Sequence, residues 1–435
     1  MVMVPKANSD VRLRVPAFMF TSMLSIVVLL VFSGCRKSTP TVEVASESPE
    51  DAATAVVTTT KAYEVSADQL LASRLPRDRA SEGWIRLFDG YTMFGWEIIG
   101  KANWEVKDET IVVSGGESSL LCTSMPWQDF ELQLQYQSAA DADSGVLVRT
   151  PIDPNNPSED CYEINLADGD SDYPTGSLNG RQKSDLSGGE LSDGWRTLSI
   201  RADQATVTVT IDDVEVCRYE DPSPLPGGRI GLQYLTGETK FRDIQLRPLG
   251  LESLLDESLS QWTTYPDMPG SFSMTDDGEM HVEGGRTQLE TKESYDDFVL
   301  LAEYRLAEPE MNSGIFFRCI PGDEMMGYEC QLSNQIKDAN PLTPADHGTG
   351  GFFKRQEARI VAGNPEGYSS VVLLAKGPMM AAWVEGIQVS NWFDDRKPDE
   401  NPRRGLRTKA GTIMIQGHDP TTDAWIRQLK VANLK

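Results

Sequence analysis

Asn312-Ser313-Gly314-Ile315-Phe316-Phe317-Arg318, followed by Tyr328-Glu329-Cys330-Gln331-Leu332, is the stretch on which the fold turns. It has an upstream echo in Asp143-Ser144-Gly145-Val146-Leu147-Val148-Arg149 and Tyr162-Glu163-Ile164-Asn165-Leu166. Each pair reads as a Gly-started strand of β-branched and aromatic residues ending in Arg, then an alternating strand with a carboxylate on one face. Charges among apolar strand positions are costly to bury unless they face a partner or a solvated cleft. Arg318, Glu329, Arg149 and Glu163 are therefore candidate site residues, and an Arg–Glu pair tying neighbouring strands is the competing account.

Working outward, the chain repeats itself, which settles its organisation before any fold is assigned. Leu87-Phe88-Asp89-Gly90 with Gly95-Trp96 is answered by Leu254-Leu255-Asp256-Glu257 with Gln261-Trp262. Trp127 to Leu132 is answered by Tyr295 to Leu300, and Gly180-Arg181-Gln182 by Lys354-Arg355-Gln356. Gly231-Leu232-Gln233 matches Met414-Ile415-Gln416. Within each copy, short alternating segments such as Phe130–Tyr136, Thr206–Ile211 and Phe298–Tyr304 are separated by Gly, Asp, Asn and Pro clusters. That spacing predicts an all-β protein of two tandem jelly-roll sandwiches, over residues 81–250 and 251–435. Asp212-Asp213 and Glu385-Gly386 sit where tight hairpins would turn.

Among 435 residues, 40 Lys+Arg against 66 Asp+Glu leave a formal charge of -26, which argues against nucleic acid as a partner. The six cysteines show no metal-binding or CxxC spacing. Buried free thiols are the expected state of Cys319 and Cys330 rather than a bridge.

Lys6, Arg12 and Arg14 precede an apolar run from Val15 to Phe32 that ends at Ser33-Gly34-Cys35. This is the shape of an export signal over residues 1–35, the competing account being an uncleaved membrane anchor. Phe32-Ser33-Gly34-Cys35 resembles the bacterial lipobox, which implies lipidation of Cys35, an anchor in the membrane and residence in the cell envelope. Residues 36–80, rich in Ser, Thr, Ala and Glu, read as a flexible tether with one or two helical turns over Ala67–Leu75.

Together the repeat's markers resemble the bacterial 3-keto-disaccharide hydrolase domain, also described as a 3-keto-glucoside 1,2-lyase and 3-keto-2-hydroxy-glucal hydratase domain. The resemblance covers Trp84–Leu249 and Leu254–Leu434. It rests on the Leu87-Phe88-Asp89-Gly90 opening, the two central strands, Asn401-Pro402-Arg403-Arg404-Gly405, and Gln416-Gly417-His418-Asp419-Pro420. It implies a concanavalin-like jelly roll and a carbohydrate substrate oxidised at C3. The copies differ, because His418-Asp419 has no counterpart after Gln233, where Tyr234-Leu235-Thr236 stands. In the second copy Phe353-Lys354 replaces the family's more usual Tyr-Gly.

A ketone at C3 acidifies the hydrogen at C2 and leaves the glycosidic oxygen β to the carbonyl. Cleavage then needs a base, a group to hold the enolate charge and an acid for the departing oxygen. Glu329, His418, Arg318 and Lys354 are the catalytic candidates, with Gln331, Asn312, His347, Asp419, Arg149 and Glu163 as binding residues. His418 would act as base or merely cap a turn with Asp419. A divalent metal ion held through Glu329, His418 or Asp419 would also stabilise the enolate, with no particular metal favoured. Trp104, Trp127, Trp262, Trp383 and Trp392 would stack on sugar rings or pack in the core, core packing being the commoner use. The rival functions are a carbohydrate-binding surface lipoprotein without catalysis and a structural protein of the envelope.

Overall fold

The computed structural model describes residues 65–167, 172–186 and 194–434. Cys35, the export signal and most of the tether lie outside the described residues. The fold is all-β, two tandem concanavalin-like jelly-roll sandwiches. In the first, eleven described strands form one curled sheet. The long strand Thr110–Thr123 pairs through Ile111–Ser114 with Glu238–Pro248 and through Ser119–Cys122 with Arg229–Thr236, so one strand serves both layers. It bends at Gly115-Gly116, both at positive φ, and a Cβ on Gly116 would fall 2.4 Å from the Lys101 carbonyl.

The second sandwich lays an eight-stranded sheet against a five-stranded one. The alternating segment Phe298–Tyr304 lies in the strand Phe298–Leu306, nearly all of which is buried. Phe298, Leu300, Ala302 and Tyr304 enter the core of their own sandwich, whereas Val299 and Leu301 pack with the first. Val372, Leu374, Ala381 and Trp383 on neighbouring strands do the same, with Trp383 5.5 Å from Trp127. One apolar layer therefore joins the two repeats, and it leaves the far face of the five-stranded sheet free for function.

The helical turns expected over Ala67–Leu75 form at Ala67–Ala72, but residues 66–80 pack on the sandwiches rather than extend as a tether. Ser66 and Gln69 form a capping box that starts the helix Ala67–Ala72. Leu70 joins the core of the second sandwich, and Leu75 is buried with its N–H donating to Glu385 O at 3.0 Å. Few apolar residues suffice here because each one lands on an already folded surface. The two expected hairpins are present: Asp212 and Asp213 (φ 48° and 66°) and Glu385 and Gly386 (φ 50° and 82°) make left-handed turn pairs. Cys319 and Cys330 are buried free thiols, and burial pushes Cys330 up to about 12.

Candidate active site

The five-stranded sheet of the second repeat runs in the order Trp262–Thr264, Thr287–Thr291, Thr412–Gly417, Ser313–Cys319, Tyr328–Leu332. Strand alternation sends Leu289, Ile413, Ile415, Ile315, Phe317, Tyr328 and Cys330 inward. It leaves Gln288, Glu290, Met414, Gln416, Gly314, Phe316, Glu329 and Gln331 on the other face. Register aligns these into rows: Gln288 pairs Gln416, Gly314 pairs Gln331, and Glu290, Met414, Phe316 and Glu329 form the next row. Gly314 is a gap in the amide row beside Glu329. A Cβ there would stand 3.0 Å from Glu329 Oε1.

One end of this face is filled. Residues 320–327 fold over it, held by the Gly322 N–H on Glu290 and the Met325 N–H on Gln288 Oε1 (2.7 Å). Met325 seals against Phe316, Cys319 and Met414. The open end is a pocket of about 150 Å³ lined by Tyr328, Glu329, Phe352, Phe353, Lys354, Arg355, Pro402 and Arg403. On the same sheet face, behind the residues that line the pocket, Gln331 Oε1 and Gln416 Oε1 are buried without a hydrogen-bond partner among the described residues.

Glu329 is 8% exposed, and its carboxyl is raised from 4.5 to about 7. Burial is the main cause and Asp346 adds to it, while Arg403 and Lys354 oppose it. Lys354 stands where the first repeat has a glycine: the Phe353 N–H donates to Glu329 O as the Asn179 N–H donates to Glu163 O, which places Gly180 opposite Lys354. Both have positive φ, 72° for Gly180 and 59° for Lys354. A lysine in this region is strained by about 1–2 kcal/mol. The Lys354 N–H donates to His347 Nε2 at 2.9 Å, and His347 Nδ1 faces Asp346 Oδ1 at 2.9 Å. With Nε2 accepting, the proton is assigned to Nδ1. Asp346 in turn accepts from Asn312, whose Oδ1 accepts from Gln331 Nε2 at 2.6 Å. Glu329, Lys354, Gln331, Asn312 and His347 thus form one assembly, in which His347 and Asn312 orient their neighbours. Lys354→Gly should leave the fold neutral to about 1 kcal/mol more stable while lowering turnover at least tenfold. Denaturant unfolding and kcat measure the two effects, and unchanged kcat would take Lys354 out of the site.

Arg318 is not part of this assembly. At φ 47° it turns off the strand alternation, and its fully buried guanidinium donates to Asp296 O, Gly377 O, Arg407 O and Asp297 Oδ1. Arg149, at φ 53°, repeats the clamp with Gln128 O, Gln204 O, Leu225 O and Asp129 Oδ1. Neither arginine pairs with its neighbouring Glu, so both accounts read from the sequence give way to a loop clamp. His418 lies in the turn after Gly417, with Nδ1 2.8 Å from Asp419 Oδ2 and its N–H donating to Thr422 Oγ1. It does not line the Glu329 pocket. Thr421 and His418 hold Asp419 down at about 2, so the pair is built as a turn cap. Among the described residues no group of three or more His, Cys, Asp or Glu is placed to hold a metal. Glu329 lines the pocket, whereas His418 and Asp419 sit in the turn after Gly417. Glu163 keeps the position of Glu329 and is likewise raised by burial, but Gly180 brings it no ammonium. Trp127, Trp262 and Trp383 are core residues, Trp392 packs on Tyr328 and Phe352, and Trp104 bonds Ser119.

Sequence reading missed Gln288, Gln416, Arg355 and Arg403. Strand alternation through Thr287–Thr291 and Thr412–Gly417 carried the signal for the two amides.

The family described as the 3-keto-alpha-glucoside-1,2-lyase-like domain matches residues 83–247 and 250–432. No curated protein matches the chain. Among solved structures, a Parabacteroides distasonis protein provisionally described as a glycosyl hydrolase is 18% identical, with TM-score 0.36, over 40% of this chain and 98% of its own. The carbohydrate-binding module CBM66 from Bacillus subtilis is 14% identical, with TM-score 0.26, over 35% and 95%. A Bacillus subtilis protein of unknown function with a galectin-like fold is 13% identical, with TM-score 0.28, over 38% and 94%.

Proposed function

The chain belongs to the 3-keto-alpha-glucoside-1,2-lyase-like domain family through both of its repeats, and on that premise we propose that the second repeat cleaves 3-keto-glycosides by proton abstraction, elimination and hydration. Family membership marks a carbohydrate-acting protein, and the chemistry is our reading of the pocket. The observation that carries it is Glu329, a buried carboxyl raised to about 7 in a pocket that Lys354 also lines. Such a group is partly ionised at neutral pH and strong enough as a base to take a proton acidified by a ketone.

Glu329 removes the C2 hydrogen, and the electron pair of that bond forms the C2–C3 double bond as charge moves to the C3 oxygen. Lys354 holds that oxyanion. The charge then returns, the C1–O bond breaks, and a C1–C2 double bond conjugated to the ketone remains. The departing oxygen takes a proton, for which protonated Glu329 is the available donor. Water added at C1, with a proton at C2, gives the free 3-keto sugar. Gln331 acts from behind the pocket, its Nε2 donating to Asn312 Oδ1 and so holding the chain that runs through Asp346 and His347 to Lys354. We place the protein in the bacterial envelope, anchored by lipid at Cys35.

Purified protein incubated with a 3-keto-glucoside, with and without chelator, tests the reading. Release of 3-keto-glucose, through an enone seen by its ultraviolet absorption, is expected. Binding without release under any metal would replace catalysis with carbohydrate binding. A binding-only role suits the first repeat, where Glu163 has no ammonium beside it and Arg181 is ion-paired to Asp221.

A further inference from the structure

The pocket around Glu329 holds more positive charge than the proposed reaction uses. Three cations line it, Lys354, Arg355 and Arg403, against the single carboxyl of Glu329. None of the three forms an ion pair among the described residues. Lys354 Nζ lies over the Phe353 ring at 5.0 Å, Arg355 donates to the Lys354 and Arg403 carbonyls, and Arg403 donates to Met325 O. Four neighbours in the same segment behave otherwise. Arg396 pairs with Asp394, Arg404 with Asp399, and Arg407 and Lys409 with Glu400. Three cations without a carboxylate partner thus share one pocket, in a chain whose formal charge is -26.

The repeat shows how the pairing was changed. In the first sandwich Tyr162 Oη donates to Asp221, and Arg181 pairs with the same carboxylate at 3.4 Å. In the second, Tyr328 Oη donates to Asp394 in the same way, but Arg396 takes Asp394 through two nitrogens, at 2.7 and 2.8 Å. Arg355, the counterpart of Arg181, is left without a carboxylate. Adding Lys354 where the first repeat has Gly180 raises the excess further.

One cation answers the charge that develops on the C3 oxygen, and two remain. Planar guanidinium groups recognise oxyanions through paired N–H donors. Resting on the function proposed above, we propose that the pocket selects glycosides whose leaving group carries an oxyanion, a carboxylate or sulfate, held by Arg355 and Arg403. A cationic mouth on an acidic protein also concentrates such ligands while the rest of the surface repels them.

Glucosides with no ketone at C3 isolate recognition from chemistry. Three aglycones that differ only in ending in a carboxylate, a sulfate or a primary amide are titrated calorimetrically into the full chain at low and high salt. The carboxylate or the sulfate should bind at least tenfold more tightly than the amide. The advantage should shrink as salt rises. Arg403→Gln and Arg355→Gln should each reduce that ratio, and the double variant should bring it within about twofold. Arg404→Gln, at an exposed paired arginine of the same segment, should leave it unchanged. Equal binding of all three ligands, binding of none at millimolar concentration, or a preference that survives the double variant overturns the proposal. Oxyanion preference without turnover of any 3-keto-glucoside would remove the lyase chemistry and keep this inference. Turnover without preference would do the reverse.

Discussion

Glu329→Gln should lower kcat by about a thousandfold, within the range usual for loss of a general base, and leave both sandwiches folded. The amide keeps the size of the carboxyl and its place beside Gly314, so the loss would report chemistry rather than packing. In the unaltered protein kcat/KM should rise with pH through about 7, because the base is the ionised form of a carboxyl raised to about 7. Stability should move the opposite way. The unfolded carboxyl releases its proton near 4.5 and the folded one near 7, so the native state holds the proton more tightly and loses stability as pH rises between these values. Above 7 the penalty is on the order of 3 kcal/mol. Glu329→Gln should therefore be the more stable protein at pH 8 and lose that advantage near pH 4.5, as urea unfolding at the two pH values would show. Full activity in the variant removes Glu329 from the mechanism, and a stability difference indifferent to pH removes the burial account of its acidity.

The sandwich was readable because its signals are local. Alternation, turn residues and the internal repeat all depend on neighbours in sequence, and the left-handed turns at Asp212-Asp213 and Glu385-Gly386 followed from residue type. Glu329, Gln331 and Lys354 were legible as candidates because a charge or amide in an apolar strand, and a lysine where the repeat has glycine, stand out without any coordinates. Two candidates are held elsewhere, one by partners remote in sequence and one by partners beside it. Arg318 ends its strand in a backbone turn that no residue type announces, and its acceptors come from residues 296, 297, 377 and 407. His418 drew notice as a rare histidine, yet its partners are Asp419 and Thr422 in its own turn.

The same remoteness hid what the first repeat contributes. Arg359, in the segment that follows Lys354, donates to Asp89 Oδ2 at 2.9 Å and Thr92 Oγ1 at 3.2 Å, both in the opening turn of the first repeat. Its guanidinium also lies over Phe94 at 4.3 Å. One residue earlier, the Ala358 N–H donates to His347 O at 2.7 Å, and His347 Nε2 receives the Lys354 N–H. Duplication has thus given the second repeat a rigid wall behind its site loop. The first repeat acts structurally on a pocket to which it adds no lining residue.

Arg318→Met should destabilise the chain by about 3–5 kcal/mol, the usual consequence of breaking one side of a buried ion pair. Methionine fills much of the volume but offers no donor. The carbonyls of Asp296, Gly377 and Arg407 would lose their partner, and Asp297 would keep the Gly377 N–H and Lys376. Lysine should rescue little, since one ammonium cannot span acceptors arranged around a planar fork. Arg149→Met tests the same construction in the first repeat, where the acceptors correspond one for one, and a similar loss is expected there. Guanidinium chloride unfolding of both variants measures the effect. The two readings of Arg318 separate on the folded fraction: a clamp predicts lost stability with kcat per folded molecule nearly intact, whereas a sugar-binding arginine predicts the converse. A variant stable to within 1 kcal/mol but without turnover would return Arg318 to the active site, and Arg149 with it.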